Sequence, residues 1–327
     1  EDVPLAIDLL ADILRQPRFE APEIAVERGV ILQEIGQALD TPDDVIFDWL
    51  QEVAYPGQAM GRPILGLAER VARFDAGDLR RFVNGHYAPN RMVLSAAGNV
   101  DHDEIMRLAE TLYGDMPRSE CGTTEPARFI GGERRELRKL EQAHLALAFE
   151  SPGHAEPDVY AAQVFATAFG GGMSSRLFQE AREKRGLCYT VFAQASAYAD
   201  TGSLTIYAGT GAGEVAGLTE LVVEQLCAAA EGLSAEEVDR ARAQMKAGMV
   251  MGLESASNRA ERHARSLEIW GRVQSVEETV ARIEAVDVAA ARAVGAKIIA
   301  HVAPALALYG PVEAAPGCER IAARLAA

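Results

Sequence analysis

The feature that most limits what this chain can fold into is an internal repeat. The stretch "GEVAGLTELVVEQLCAAAEGLSAEEVDRARAQMKAGMVM", starting at Gly213, has the helix–turn–long-helix layout of "EDVPLAIDLLADILRQPRFEAPEIAVERGVILQEIGQ", starting at Glu1. Further on, "IEAVDVAAARAVGAKIIAHVAPALALYGPV" tracks "VARFDAGDLRRFVNGHYAPNRMVLSAAGNV". Both matches share an offset of about 213 residues, which argues for a duplication. Nothing ahead of the first copy matches residues 137–212, so that copy begins in its middle. A set of strands resembling those at 137–212 is therefore expected in a segment before Glu1, and the chain is expected to be a piece of a longer one. The first residue, a Glu in place of Met, is in keeping with that.

Local patterns fill in the two copies. Val3, Ile7, Leu10, Ile13 and Leu14 recur at three- and four-residue steps and predict a first helix over 1–18. Pro22 opens a second, running to about Leu39, and Thr41 with Pro42 starts a third. "DAGDLRRFVNGHY" and "DHDEIMRLAETLYGDMP" predict two more, and the apolar run at 91–100 predicts a buried strand. Residues 119–136 are rich in Gly, Thr and charge with no period, and read as a linker. Beyond it, 144–151, 188–198 and 202–211 read as strands, with a helix at about 157–169.

Bulk properties exclude some functions. With 327 residues and 49% hydrophobic content, the chain is long enough for two cored domains. A net charge of −16 and a pI near 4.9 argue against nucleic acid. No apolar run is long enough to span a bilayer. Cys121, Cys188, Cys227 and Cys318 are scattered without paired spacing, as expected of reduced thiols in a cytoplasmic protein. "GGGMSSR" (170–176) lacks the G-K-[ST] ending of a phosphate loop and is expected to be a tight turn.

The helix around "ERGVILQEI" carries Glu23, Glu27 and Glu34 in a narrow stripe, bordered by Val26 and Val30 on one side and Ile24 and Ile31 on the other. Seven residues is almost two turns, so Glu27 and Glu34 point the same way. A solvated face is one reading, and a carboxylate aimed into a site and steadied by a second is the other. The repeat bears on the choice. Glu27 falls opposite Ala241 and Glu34 opposite Gly248, so the acids belong to one copy only. Packing common to both copies does not predict that loss. Carboxylate oxygens can complete a metal site built from His, but none of His86, His102, His144, His154, His263 and His301 forms an i, i+4 pair.

"ERGVILQEIGQALDTPDDVIFDWLQEVAYPGQAMGRPILG" resembles the pitrilysin-type zinc peptidases, in particular bacterial relatives of the mitochondrial processing peptidase beta subunit. "GGGMSSRLFQEAREKRGLCYTVFA" (170–193) is similar to the second-domain signature of the same group, and "YAPNRMVLSAAGNVDHDEI" extends the likeness. The resemblance implies an α+β fold: two duplicated α/β-sandwich domains with largely antiparallel sheets packed by helices, the first incomplete. Residues 1–118 would be the remainder of the zinc-bearing N-terminal domain, 119–136 the linker, and 137–327 the homologous domain without zinc. It also implies one zinc ion. Glu34 matches the family's third ligand and Glu27 its supporting acid. The two His ligands and the general-base Glu belong to an H-x-x-E-H motif expected upstream of Glu1. Arg182 and Tyr189, seven apart in "REKRGLCY", match the family's Arg and Tyr that reach the site from the second domain. Read without the resemblance, they are a surface Arg and a core strand Tyr.

The implied activity is endoproteolysis of unfolded, extended peptides or presequence-like segments, basic ones among them given the acidic chain, by attack of metal-activated water on the peptide bond. Without its motif the chain as given is expected to be inactive. Expected partners are a second copy or a homologous subunit, in a bacterial cytoplasm unless a lost N-terminal signal directs it elsewhere. The alternative is a non-catalytic partner or scaffold subunit of a processing-peptidase-like complex.

Overall fold

A computed structural model describes residues 2–120, 125–300 and 303–326; Cys121 and His301 lie outside the described residues. In chain order the elements are α1 (Val3–Arg15), α2 (Ala21–Leu39), α3 (Pro42–Ala54), α4 (Ala68–Val71), α5 (Ala76–His86) and α6 (His102–Tyr113). Strands β1 (Gly132–Leu137) and β2 (Ala143–Glu150), helices α7 (Val159–Gly170) and α8 (Arg176–Phe178), and strands β3 (Cys188–Ala197) and β4 (Gly202–Thr210) follow. Then come α9 (Val215–Gly232), α10 (Ala235–Gly252), α11 (Ala256–Trp270), α12 (Val276–Glu284), α13 (Val288–Ala300), β5 (Ala305–Gly310) and α14 (Cys318–Leu325). The repeat survives as structure: α1 to α3 run in the order and spacing of α9 to α11, and α5 and α6 in those of α13 and α14.

These elements divide between two compact units. The first holds Glu1–Ile35, Leu65–Glu125 and Val250–Ser275; the second holds Gly36–Ile64, Pro126–Met249 and Val276–Ala327. Each unit thus takes one helical segment from the other copy of the repeat: α3 belongs to the second unit, and α11 to the first.

The second unit is built on a five-stranded sheet of order β1-β5-β2-β4-β3. Only β1 and β5 pair in parallel; the other described pairs are antiparallel. Its two faces are specified by side-chain size. Along β2, Leu145, Leu147 and Phe149 enter the larger core with α7, α9 and α13, while Ala146 and Ala148 face the other way. β5 repeats this, with Leu306 and Leu308 on the large-residue face and Ala305 and Ala307 opposite. The alanine face is shallow, so α3 fits on it through Ile46, Leu50 and Ala54, with Tyr55 just beyond its end. Strands buried on both faces read as continuous apolar runs, and β2 is buried from Ala143 to Phe149.

Two expectations change. Residues 91–100 form no strand. Met92 has extended dihedrals (φ −119°, ψ 142°), yet residues 92–97 join no ladder, and Val93 and Leu94 are exposed. Their counterpart β5 is a strand because β1 and β2 flank it; the first unit has no strand among its described residues. The expected linker, in turn, ends in regular structure, since residues 132–136 are most of β1.

Candidate active site

Arg182 and Tyr189 are held together in the second unit. Arg182 lies on a π-helical turn, Gln179–Lys184, which continues α8. The chain then reverses at Gly186 (φ +62°), a conformation that glycine adopts without a Cβ penalty, and Gly186 N–H donates to the Arg182 carbonyl at 3.0 Å. Tyr189 follows at the start of β3, where the register with β4 slips between Cys188 and Thr190. This bulge adds one residue to the strand and redirects its side chain. Tyr189 and Thr190 are therefore consecutive outward-facing residues, and Tyr189 is 75% exposed. It is not the core tyrosine that a regular strand predicts.

The Arg182 guanidinium sits 4.5 Å from the Tyr189 ring centroid and 4.9 Å from that of Phe178. Such stacking is worth about 0.5–1 kcal/mol at an exposed site. It leaves the N–H edges of the fork available, because the rings take only its faces. Its nearest carboxylate oxygen, on Glu183, is 3.8 Å away, a loose pairing. Phe178 was missed in the sequence; its i, i+4 spacing from Arg182 was the available signal. Beneath this pair, burial pushes the Cys188 thiol up to about 11, with Arg182 opposing the shift, so the thiol stays protonated and inert.

Glu23, Glu27 and Glu34 are exposed on α2, with Ile24 and Ile31 half-buried beside them. The helix is tethered by Arg28, whose guanidinium donates to the carbonyls of Ala72 and Phe74 at 3.2 and 3.3 Å. Glu27 and Glu34 make no hydrogen bond or ion pair with other described residues. Seven residues of helix separate them by about 10 Å along the axis, so a single ion can take only one of them as a direct ligand.

A zinc site needs about four N, S or O donors in tetrahedral array. Among the described residues no group of three or more His, Cys, Asp or Glu is placed to hold a metal. His144 on β2 is buried and shares its Nδ1 with the Tyr207 hydroxyl at 2.9 Å. The described residues do not assemble a zinc centre by themselves.

The glycine run at 170–172 ends α7, and Gly170 serves close packing rather than turn geometry. A Cβ there would lie 2.5 Å from the Ala193 Cβ and 2.6 Å from its nitrogen. The turn beyond is fixed by Gln244, whose amide donates to the Gly171 carbonyl at 2.9 Å.

Residues 1–67 match the family profile described as insulinase (peptidase family M16), and residues 73–245 match that of the peptidase M16 inactive domain. The chain belongs to peptidase family M16. Within this family it is similar to a Streptomyces coelicolor protein named an uncharacterized zinc protease, at 36% identity over 322 residues, 95% of this chain and 70% of that one. Proteins of the same description from Mycobacterium tuberculosis (strain H37Rv; 36%, 92% of this chain and 70% of the relative) and Bacillus subtilis (33%, 88% and 70%) match as well. The M16 fold is further matched by a chain of Complex III2 from Candida albicans, Inz-5 bound, with a TM-score of 0.91 at 21% identity over 99% of this chain and 80% of that one. That likeness carries the fold alone. The first M16 profile covers Glu27 and Glu34, and the second covers Arg182 and Tyr189. No helix among the described residues is long and apolar enough to cross a membrane.

Proposed function

We propose that this M16 chain works in a zinc-dependent endopeptidase acting on unfolded, extended peptides, with Arg182 and Tyr189 as its peptide-contacting pair. The observation that carries the reading is the exposed Tyr189 phenol. A bulge turns its side chain outward from β3, and Arg182 stacks on its ring while the residue stays 75% exposed. In this reading the phenol O–H donates to a substrate carbonyl oxygen, a bond that strengthens as negative charge develops there. Arg182 fixes the phenol's direction and offers its own N–H edge to a neighbouring carbonyl.

Glu34 is proposed as one metal ligand and Glu27 as the acid that steadies it. The chain brings one direct donor, so the two His ligands and the base are assigned to an H-x-x-E-H segment outside residues 1–327. The acidic composition favours basic peptides. Pairing with a second copy or a homologous subunit, and action in the cytoplasm, belong to the same proposal.

The test uses the complete gene product. It is expected to contain H-x-x-E-H and to cleave a quenched peptide in a chelator-sensitive way. Glu34→Gln is expected to lower its zinc content below stoichiometric, because an amide is a poor ligand. Tyr189→Phe is expected to reduce kcat by about 10- to 100-fold with an unchanged melting midpoint. Wild-type turnover in Tyr189→Phe would remove the tyrosine from the site, and a full zinc complement in Glu34→Gln would remove the ligand assignment.

A second reading is a non-catalytic partner or scaffold. It is favoured by the match of residues 73–245 to a profile described as inactive. A complete gene product without the motif, and without cleavage, decides for it.

A further inference from the structure

The first unit contains a cavity of about 500 Å³ that the peptidase reading does not use. Three segments wall it: the end of α1 and the turn after it, α5, and the chain following α6. On α5 the lining residues are Arg80, Val83, Asn84 and then Tyr87, one stripe at helical spacing. Opposite them lie Arg15, Asp115, Arg118 and Ser119. The chain carries 16 net negative charges, yet this cavity has three guanidiniums against one carboxylate.

The charges are unequally committed. Arg15 pairs with Asp115 at 2.8 Å and also donates to the Leu112 carbonyl. Arg80 and Arg118 have no carboxylate within ion-pair distance among the described residues. Arg80 is nevertheless held in place. One of its nitrogens donates to the Arg18 carbonyl at 3.0 Å, and its carbon lies 6.0 Å from the Phe19 ring centroid. Phe19 is the one non-glycine described residue with positive φ, at 49°. That left-handed conformation is costly for a side-chain-bearing residue and clusters at sites with a use for it. Here it places both the Arg18 carbonyl and the Phe19 ring against Arg80.

Ser119 is set in the opposite wall with similar care. Asn90 holds its backbone from both sides, donating to the Ser119 carbonyl at 3.0 Å and accepting from its N–H at 3.2 Å. The Ser119 hydroxyl is buried and has no hydrogen-bond partner among the described residues. A buried hydroxyl without a partner costs stability, and a ligand in the cavity would supply one.

We propose that this cavity binds a small molecule bearing an oxyanion, a phosphate or a carboxylate, through Arg80 and Arg118, with the Ser119 hydroxyl donating to it. Guanidinium forks match both groups in geometry. Bulk repulsion from the acidic chain is screened beyond about 8 Å at physiological ionic strength, so the local arginines decide the affinity. Tyr87 and Phe19 give the apolar part of such a molecule a flat surface.

The experiment titrates the full chain with inorganic phosphate, and separately with acetate, at constant ionic strength, following arginine side-chain N–H resonances by NMR. Saturable shifts are expected, weakened about tenfold or more in Arg80→Gln and in Arg118→Gln, with Arg138→Gln, an exposed arginine of the second unit, as the control. The tighter of the two probes identifies the oxyanion. Unchanged melting midpoints and near-ultraviolet dichroism in the variants exclude misfolding, and Ser119→Ala, a smaller change, should weaken binding without disturbing the arginines. The absence of saturable shifts with both probes up to tens of millimolar overturns the proposal. So does equal binding by Arg138→Gln and the two cavity variants.

Discussion

Tyr189 shows how far one residue's environment departs from its pattern. In a regular strand it would face the opposite side from Cys188 and sit in a sheet surface; the bulge instead leaves it three-quarters exposed on Arg182. Its identity was legible in "REKRGLCY", but its orientation was not, because a bulge is set by pairing with β4. Gly170 is the reverse case, where the residue was seen and its reason was not. Its α-carbon hydrogen faces Ala193 at a distance that no methyl can share. Gly170→Ala is therefore expected to destabilise the chain by about 2 kcal/mol through overpacking, read as a lower urea midpoint at an unchanged slope. His144 carries a pH dependence. Burial lowers its pKa below the usual 6.5, with Asp43 partly opposing the shift, so the unfolded chain binds the proton more readily than the folded one. The stability due to neutral His144 is fully present above about pH 6.5 and is lost as pH falls through the lowered folded value. His144→Gln is expected to flatten the stability profile between about pH 7 and 5, measured by urea unfolding at each pH; a parallel profile would reject the assignment.

At the scale of elements, β2, β3 and β4 were readable because each is a short, largely apolar run bounded by turns, whereas the charged β1, GERREL, was not. The alternation of large residues and alanines in "HLALAF" and "ALALY" also holds the plan of the layers, a deep helical core on one face and a single helix close against the other. The run at 91–100 shows the limit of such reading. It has a strand's composition and extended dihedrals, but strand is a property of a pair, and no described neighbour completes it. The junction of α8, α9 and α10 depends on one side chain. Arg176 makes two bonds to the Glu237 carboxylate at 2.8 and 2.7 Å, and two to the carbonyls of Ala228 and Gly232 at the end of α9. Burial alone would raise the Glu237 pKa; the bonds from Arg176 and Ser234 outweigh it and hold it low. Arg176→Met removes the partner of a largely buried carboxylate and is expected to cost about 3 kcal/mol. The double variant Arg176→Met, Glu237→Leu is expected to recover most of that loss in the same unfolding assay.

At the scale of the whole molecule, the two units differ in how much apolar surface they bury. The first unit has five buried apolar residues among those described, Ile7, Ala11, Val71, Ala88 and Ile105. The second holds both hydrophobic clusters. Burial is the main favourable term, so amides of α1, α5 and α6 are expected to exchange with solvent faster than those of β2, β4 and α9 by mass-spectrometric hydrogen exchange. Uniform protection across both units would contradict this. The three described thiols behave alike: burial raises Cys227 and pushes Cys188 and Cys318 up to about 11, as befits packing residues.

The sequence by itself determined the duplication, most of the helices, the strands β2, β3 and β4, and the family. These are recorded in period, spacing and motif, which act locally along the chain. Tertiary structure alone decided that each unit borrows a helical segment from the other copy of the repeat, with α3 seated on an alanine face far along the chain. It alone decided that the Tyr189 side chain turns outward at a bulge in β3, and that Arg80, Arg118 and Ser119 share one cavity. The physical reason is the same in each case. Strand pairing, close packing and the gathering of charges depend on residues distant in sequence, and a local pattern carries no record of which distant partner it will meet.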